Sequence, residues 1–385
     1  MTGALSTLDL LDRLIGFPTV SSASNLPLID FVAEYLGGLG AAVTRIESAD
    51  GAKAALLARI GPAGDGGALL SAHSDVVPVT GQVWQGDPFR LRRVGGRLYG
   101  RGTADMKGFV ASALAAAGRA ARRDLARPLL VALSYDEEVG CLGIREIIDQ
   151  VIPTLGLPEF CIVGEPTGMR VAVGHKGKAV YRATCHGVAG HSALAPRFVN
   201  ALHLAADFVG VLRAEQAYLA EEGAQDPAYD VPCSTVHAGL MSGGVALNIV
   251  PDRATVDFEI RHLAEEPVDG IIDRIGRAAG GAALAMGHPD AGIGIDETNR
   301  YPGLSTPPGA QIVATVSALA GTSGTTNVAF GTEAGFFAEK GIPTVVCGPG
   351  SMDQGHRTDE FIDEDQLAAC DRMLSALVDR LERGG

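Results

Sequence analysis

The sequence predicts an α/β protein: a central, mostly parallel sheet flanked by helices, interrupted by a smaller inserted α+β domain. Three observations lead there. Short apolar runs alternate with helical patterns over the first half of the chain; near Lys178 the runs give way to strict apolar–polar alternation; and the first texture returns before the C-terminus. Strands buried on both faces read as continuous apolar runs, whereas half-wet antiparallel strands alternate. At 385 residues the chain exceeds one ordinary core, which favours two domains. The expected larger domain is discontinuous, 1–177 and 292–385, and the insert spans 178–291.

The elements follow in order. Ser6 or Thr7 caps a helix that carries Leu8, Leu10, Leu11, Leu14 and Ile15 at helical spacing, and Asn25 to Leu39 offers a second helix. Apolar runs at Ala54–Ala58, Ala68–Ala72, Leu129–Ser134 and Phe160–Gly164 predict buried strands, with an Ala-rich helix near Gly108 to Arg122 among them. Val180–His186 and Thr255–Arg261 alternate as strands with one wet face do, and helical patterns lie near Asn200 to Glu215 and Val268 to Ala279. That order suits a ferredoxin-like insert. Gly309 to Ala320 then predicts a helix, Thr344–Cys347 a strand, and Asp363 to Leu381 a closing helix.

Composition excludes several function classes. With 46% hydrophobic and 20% charged residues the chain is a folded globular protein. A net charge of -14 argues against general nucleic-acid binding, which needs clustered Lys and Arg. No run of apolar residues is long enough to span a membrane, and Met1 to Asp9 lacks the basic and apolar pattern of an export signal, so a cytoplasmic location is expected. Cys141, Cys161, Cys185, Cys233, Cys347 and Cys370 form no C-x-x-C pair and read as reduced structural thiols.

Ionisable residues gather where the first domain's strands end. His73 and Asp75 stand two apart after Ala68-Leu69-Leu70, so an extended backbone sends both to one face. Asp105 sits in the Gly-rich loop before the Ala-rich helix, Asp136-Glu137-Glu138 follows one strand, Glu165 another, and His356 lies far downstream. Taken singly, each has an ordinary reading. Asp105 can cap the helix that follows, and the Glu137-Glu138 pair can be a solvated loop. Taken together, they fall in the loops that form the binding crevice of open α/β sheets, where converging carboxylates call for a cation.

The ordered elements His73-Ser74-Asp75, Gly102-Thr103-Ala104-Asp105-Met106-Lys107-Gly108, Asp136-Glu137-Glu138-Val139-Gly140, Gly164-Glu165-Pro166-Thr167 and Gly355-His356 resemble the dizinc aminoacylase and carboxypeptidase family, the M20 metallopeptidases. The resemblance runs from Phe17-Pro18-Thr19-Val20-Ser21 to the C-terminal helix. It implies a zinc-peptidase-like catalytic domain and an insert that serves as lid and homodimer contact. It implies two divalent ions, zinc or cobalt: Asp105 bridges them, His73 and Glu165 ligate one, and Glu138 and His356 ligate the other. Asp75 would orient His73, and Glu137 would act as general base. Zinc accepts such imidazole and carboxylate donors, and a ligating histidine usually gives its second N–H to a carboxylate.

In the insert, His191 resembles the histidine that stabilises the oxyanion across the dimer, and Asn248 and Arg261 resemble residues that hold a substrate carboxylate. An ordinary loop histidine and an ion pair on a wet sheet face remain the alternatives. Gly331-Thr332-Glu333-Ala334-Gly335-Phe336 and Gly174-His175-Lys176-Gly177 resemble the acetylornithine deacetylases. There Glu333 would face the substrate's side-chain ammonium, unless it simply opens a helix. The activity this implies is hydrolysis of an N-acyl-L-amino acid, foremost N-acetyl-L-ornithine in arginine biosynthesis, by water acidified between two cations. A desuccinylase of N-succinyl-diaminopimelate, another M20 aminoacylase or carboxypeptidase, and a metal-free binding protein of the same fold are the alternatives.

Overall fold

The computed structural model describes residues 5–384. Residues 1–4, where the segment read for an export signal begins, lie outside them. The chain divides into two compact units, His175–Ser305 with Ala329–Gly331 forming the smaller and the remainder the larger.

The larger unit is built on a mixed sheet whose order starts Ala42–Glu47, Ala54–Ile60, Leu129–Ser134, Ala68–His73, Phe160–Pro166, Thr344–Gly348, Val171–His175, and the last residue of that final strand, His175, is counted with the smaller unit. Its centre is parallel: Leu129–Ser134, Ala68–His73, Phe160–Pro166 and Thr344–Gly348 pair in that way. Both flanks are antiparallel. At one edge the turn at Ser48–Lys53 is too short for a crossover, so Ala42–Glu47 must fold back on Ala54–Ile60.

The central strands are buried along their whole length, which is why they carry no alternation. Helices Thr7–Ile15, Leu26–Gly38, Lys107–Ala120 and Glu364–Arg383 share their core. Ser6 and Asp9 form a reciprocal capping box at the first of these. Lys107–Ala120 is almost wholly buried, and its alanines let neighbours approach closely: a Cβ on Gly164 would stand 2.0 Å from the Phe109 ring. Leu142–Leu155, with Ile144, Ile147 and Val151 fully buried, packs beside Ala54–Ile60 and Leu129–Ser134.

The smaller unit is an antiparallel sheet in the order Thr235–Gly243, Arg253–His262, Gly177–His186, Gly292–Tyr301, packed against helices Ala201–Glu221 and Val268–Ala285. Chain order is strand, helix, strand, strand, helix, strand, the ferredoxin-like arrangement. Its limits differ from 178–291. Gly292–Tyr301, expected in the larger domain, pairs along its length with Gly177–His186, with one register shift between Glu297 and Asn299, and so belongs to the smaller unit. Its Gly-Ile-Gly-Ile start carries too little side chain to announce a strand.

Candidate dimetal site

The parallel strands deliver the site. Ala68–His73 ends on His73, Leu129–Ser134 runs into Asp136, Glu137 and Glu138, and Glu165 lies near the end of Phe160–Pro166. Parallel pairing brings these ends to one edge of the sheet, because His73 stands opposite Ser134 in the register. Asp105 arrives from the loop before Lys107–Ala120, and His356 from the segment after Thr344–Gly348. His356 and Asp136 both adopt left-handed backbone, φ 62° and 55°, a conformation side chains avoid unless the surroundings impose it.

Asp105 stands at the centre. Its Oδ1 lies 3.2 Å from His73 Nε2 and its Oδ2 3.2 Å from His356 Nε2, so each carboxylate oxygen faces one histidine. On the first side Glu165 Oε1 is 3.5 Å from His73 Nε2; on the second, Glu138 Oε2 is 2.9 Å from His356 Nε2. Donor atoms of His73, Asp105 and Glu138 lie within 4.8 Å of one another, as do those of His73, Glu137 and Glu165.

The first histidine's proton is fixed by its surroundings. His73 Nδ1 lies 3.0 Å from the Asp75 carbonyl oxygen and 3.4 Å from its carboxylate. A carbonyl only accepts, so Nδ1 donates and Nε2 is left to face Asp105 and Glu165. The Asp75 carboxylate is engaged elsewhere as well. It accepts from Ser21 Oγ at 2.6 Å and from the main-chain N–H groups of Glu137 and Glu138 at 3.1 and 3.3 Å. One buried acid therefore supports both the histidine and the Glu137-Glu138 loop.

The electrostatics are those of a strongly anionic pocket. Burial pushes Glu137 and Glu165 well above the usual carboxylate range, with the neighbouring acids adding to it. Burial and the Asp105 charge push Glu138 up to about 7. Burial opposes ionisation of Asp105 too, yet hydrogen bonds with His356 and His73 hold it well below that range. Hydrogen bonds to Asp105 and Glu138 push the His356 imidazolium up to about 10.

This donor set fits divalent metal. Glu138 Oε1 is buried without a hydrogen-bond partner among the described residues, a costly state for a carboxylate oxygen that a cation relieves. Carboxylates and imidazoles at this separation are ligands that zinc and its neighbours in the first transition row accept.

Glu333 belongs to the same unit. It is 1% exposed, accepts from Ser134 Oγ at 2.6 Å, and burial pushes it up to about 7. It opens the helix Ala334–Glu339 without capping it by side chain.

A family profile described as Peptidase family M20/M25/M40 matches residues 69–380. A curated acetylornithine deacetylase of Pasteurella multocida is 33% identical over 384 residues, covering 97% of each chain. The chain belongs to the M20 peptidase family. Another acetylornithine deacetylase, from Myxococcus xanthus, is 33% identical over 96% of this chain and 95% of its own. Solved structures share the fold: an M20 family metallo-carboxypeptidase from Sulfolobus solfataricus has a TM-score of 0.78 at 18% identity, covering 98% of this chain and 99% of its own. A Bacillus subtilis protein, described as a dinuclear metal binding peptidase from the M20 family, has a TM-score of 0.71 at 15% identity, with 98% of each chain covered. This M20 chain is a metal-dependent amidohydrolase.

In this M20 enzyme the other expected residues lie on the smaller unit. His191 pairs with Ile249 across a short ladder, and Ser192 N–H donates to the Asn248 carbonyl at 3.1 Å, so His191 and Asn248 are neighbours. His191 Nδ1 accepts from Ala193 N–H at 3.1 Å. Arg261 Nε donates to Glu259 at 2.9 Å, and Lys178 pairs with the other oxygen of Glu259, an ion pair on the sheet's wet face. Sequence reasoning missed Ser21, Ser134 and Lys53, which bonds Asp136. Ser21 ends the Phe17–Ser21 motif and Ser134 stands two residues before Asp136, positions that could have pointed to them, whereas no recognised motif lies beside Lys53. No helix among the described residues is long and apolar enough to cross a membrane.

Proposed function

We propose that the enzyme hydrolyses the acyl amide of an N-acyl-L-amino acid, with N-acetyl-L-ornithine the preferred substrate, on two zinc ions. The observation that carries the chemistry is Asp105, each of whose oxygens faces one histidine at 3.2 Å. The name of relatives 33% identical over nearly the whole chain supports the substrate. When bound, two divalent cations acidify water and polarise the scissile carbonyl.

The chain's own residues do the rest. Asp105 spans the two positions, with His73 and Glu165 on one side and Glu138 and His356 on the other. Glu137 takes the water's proton and hands it to the leaving amine. Burial favours this work, since desolvation makes a carboxylate a stronger base than it is in water. Asp75 orients His73. His191 is assigned to the oxyanion, in trans across a homodimer formed through the smaller unit, and Asn248 and Arg261 to the substrate α-carboxylate. Glu333 is assigned to the side-chain ammonium. Six buried cysteines, none in a disulfide among the described residues, support a reducing, cytoplasmic setting.

A kinetic panel of N-acetyl-ornithine, N-succinyl-diaminopimelate, N-acetyl-methionine and a folyl-type glutamate tests the substrate. The highest kcat/KM is expected for N-acetyl-ornithine; a higher value on another member transfers the assignment to it. Glu333→Gln is expected to raise KM for N-acetyl-ornithine more than for N-acetyl-methionine. Equal effects on both would show that Glu333 serves the fold through Ser134.

A further inference from the structure

We propose that Glu360 is a positioning residue of the metal site, a brace that ties the loop carrying Asp105 to the segment carrying His356. The inference rests on the dimetal reading of these ligands and concerns a residue outside them.

Glu360 follows His356 by four residues and is 1% exposed. Its side chain is wholly occupied by the other loop. Oε1 accepts from the main-chain N–H groups of Ala104 and Asp105 at 2.9 and 3.1 Å. Oε2 accepts from Gly102 N–H at 3.0 Å and from Arg101 Nη1 at 2.7 Å. The Glu360 main-chain carbonyl accepts from Gly100 N–H at 3.0 Å. A single residue thus holds the backbone from Gly100 to Asp105, including the N–H of the bridging residue itself. Successive N–H groups converging on one anion form a fixed concavity, and the left-handed φ of 87° at Gly102 helps to shape it.

The brace has a second arm. Arg101, also 1% exposed, donates from Nη2 to Gln82 Oε1 at 2.6 Å, and Gln82 Nε2 donates to the His356 carbonyl at 3.0 Å. Trp84 Nε1 donates to the same Gln82 oxygen at 3.1 Å. His356 is therefore held from both directions: through the chain to Glu360, and through its own carbonyl to Gln82 and Arg101. Asp105 and His356 are two of the three side chains around the second metal position, and both hang on this network. A ligand carboxylate must be held to a fraction of an ångström, and outer hydrogen bonds of this kind typically change metal affinity about 10–100-fold.

Three variants of the full chain test the brace. Glu360→Gln removes the charge opposite buried Arg101 and can fail to fold. Glu360→Asp keeps that charge and withdraws the carboxylate by one methylene. Gln82→Ala cuts the half-exposed link to His356 and removes the acceptor that Gln82 offers to Arg101 and Trp84, while leaving every bond of Glu360 in place. Each is stripped with a chelator, melted, then titrated with Zn²⁺ by calorimetry and with Co²⁺ by visible spectroscopy. Glu360→Asp is expected to bind Zn²⁺ about 10–100-fold more weakly, with a changed Co²⁺ spectrum and a metal-free melting temperature close to that of the unmodified protein. Gln82→Ala is expected to weaken one ion and spare the other. Native affinity for both ions in Glu360→Asp and Gln82→Ala overturns the proposal, as does a loss of affinity only in step with lost metal-free stability. Failure of the unmodified stripped protein to take up two ions refutes the dimetal reading instead.

Discussion

Asp75 and Glu137 have separable duties, and substitutions should separate them. Glu137→Gln keeps the shape of the side chain and removes the basic carboxylate. It is expected to lower kcat by about 10²–10⁴-fold with metal content unchanged, by elemental analysis of the purified variant. A variant that keeps more than about a tenth of native turnover sinks the base assignment. Asp75→Asn acts differently. The carbonyl that accepts from His73 Nδ1 is main chain and survives the change, whereas the carboxylate that accepts from Glu137 and Glu138 N–H groups does not. Metal content should therefore hold while kcat falls by roughly 10–100-fold through a displaced Glu137. Loss of one metal per chain would mean that the carboxylate at 3.4 Å, and not the carbonyl, fixes the imidazole.

At the scale of elements, the site depends on how closely Lys107–Ala120 lies against the sheet. Gly164, one residue before Glu165, faces Phe109 with no room for a Cβ. Gly164→Ala must displace the helix or bend the strand, an overpacking that typically costs about 1–3 kcal/mol. A melting temperature lowered by a few degrees, together with weakened metal binding, is the expected result. An unchanged melt would mean that the Phe109 ring simply swings aside. Elements of this kind were legible because their signals are dense. The apolar runs ending in His73, Glu137-Glu138 and Glu165 announced both the buried strands and the ionisable side chains at their exits. Leu142–Leu155 was not anticipated: it contains Pro153 and starts after Cys141, whose φ of 55° is left-handed. Glu360 was missed for another reason. It bonds main-chain N–H groups, and a bond to backbone leaves no partner side chain in the sequence to match.

The whole molecule should answer acid in two opposite ways, because its units bury opposite kinds of ionisable group. In the smaller unit burial holds His175 down to about 4 from an ordinary 6.5, and it lowers His262 as well. A depressed histidine is neutral when folded, so between pH 6.5 and 4 the unfolded chain binds more protons and stability drains away as pH falls. By pH 5 the His175 contribution alone is about 2 kcal/mol. In the larger unit, freed of metal by a chelator, Asp105 and Asp75 are held down and burial holds Lys107 down to about 7, but the groups whose protonation changes most between pH 7 and 5 are shifted upward. His356 stands at about 10 and Glu138 and Glu333 at about 7, all raised. Raised groups stabilise most fully below their unfolded values and lose that contribution as pH climbs through the folded ones, so this unit gains on going from pH 7 to 5. The two responses can be read apart, since the single tryptophan, Trp84, lies in the larger unit. For stripped protein taken from pH 7 to 5, the melt followed by Trp84 fluorescence should hold or rise. The ellipticity melt should develop an earlier transition, which His175→Gln should reduce. A single transition that moves downward in both signals would mean that the units unfold as one and that the carboxylate cluster does not hold its protons as its burial requires.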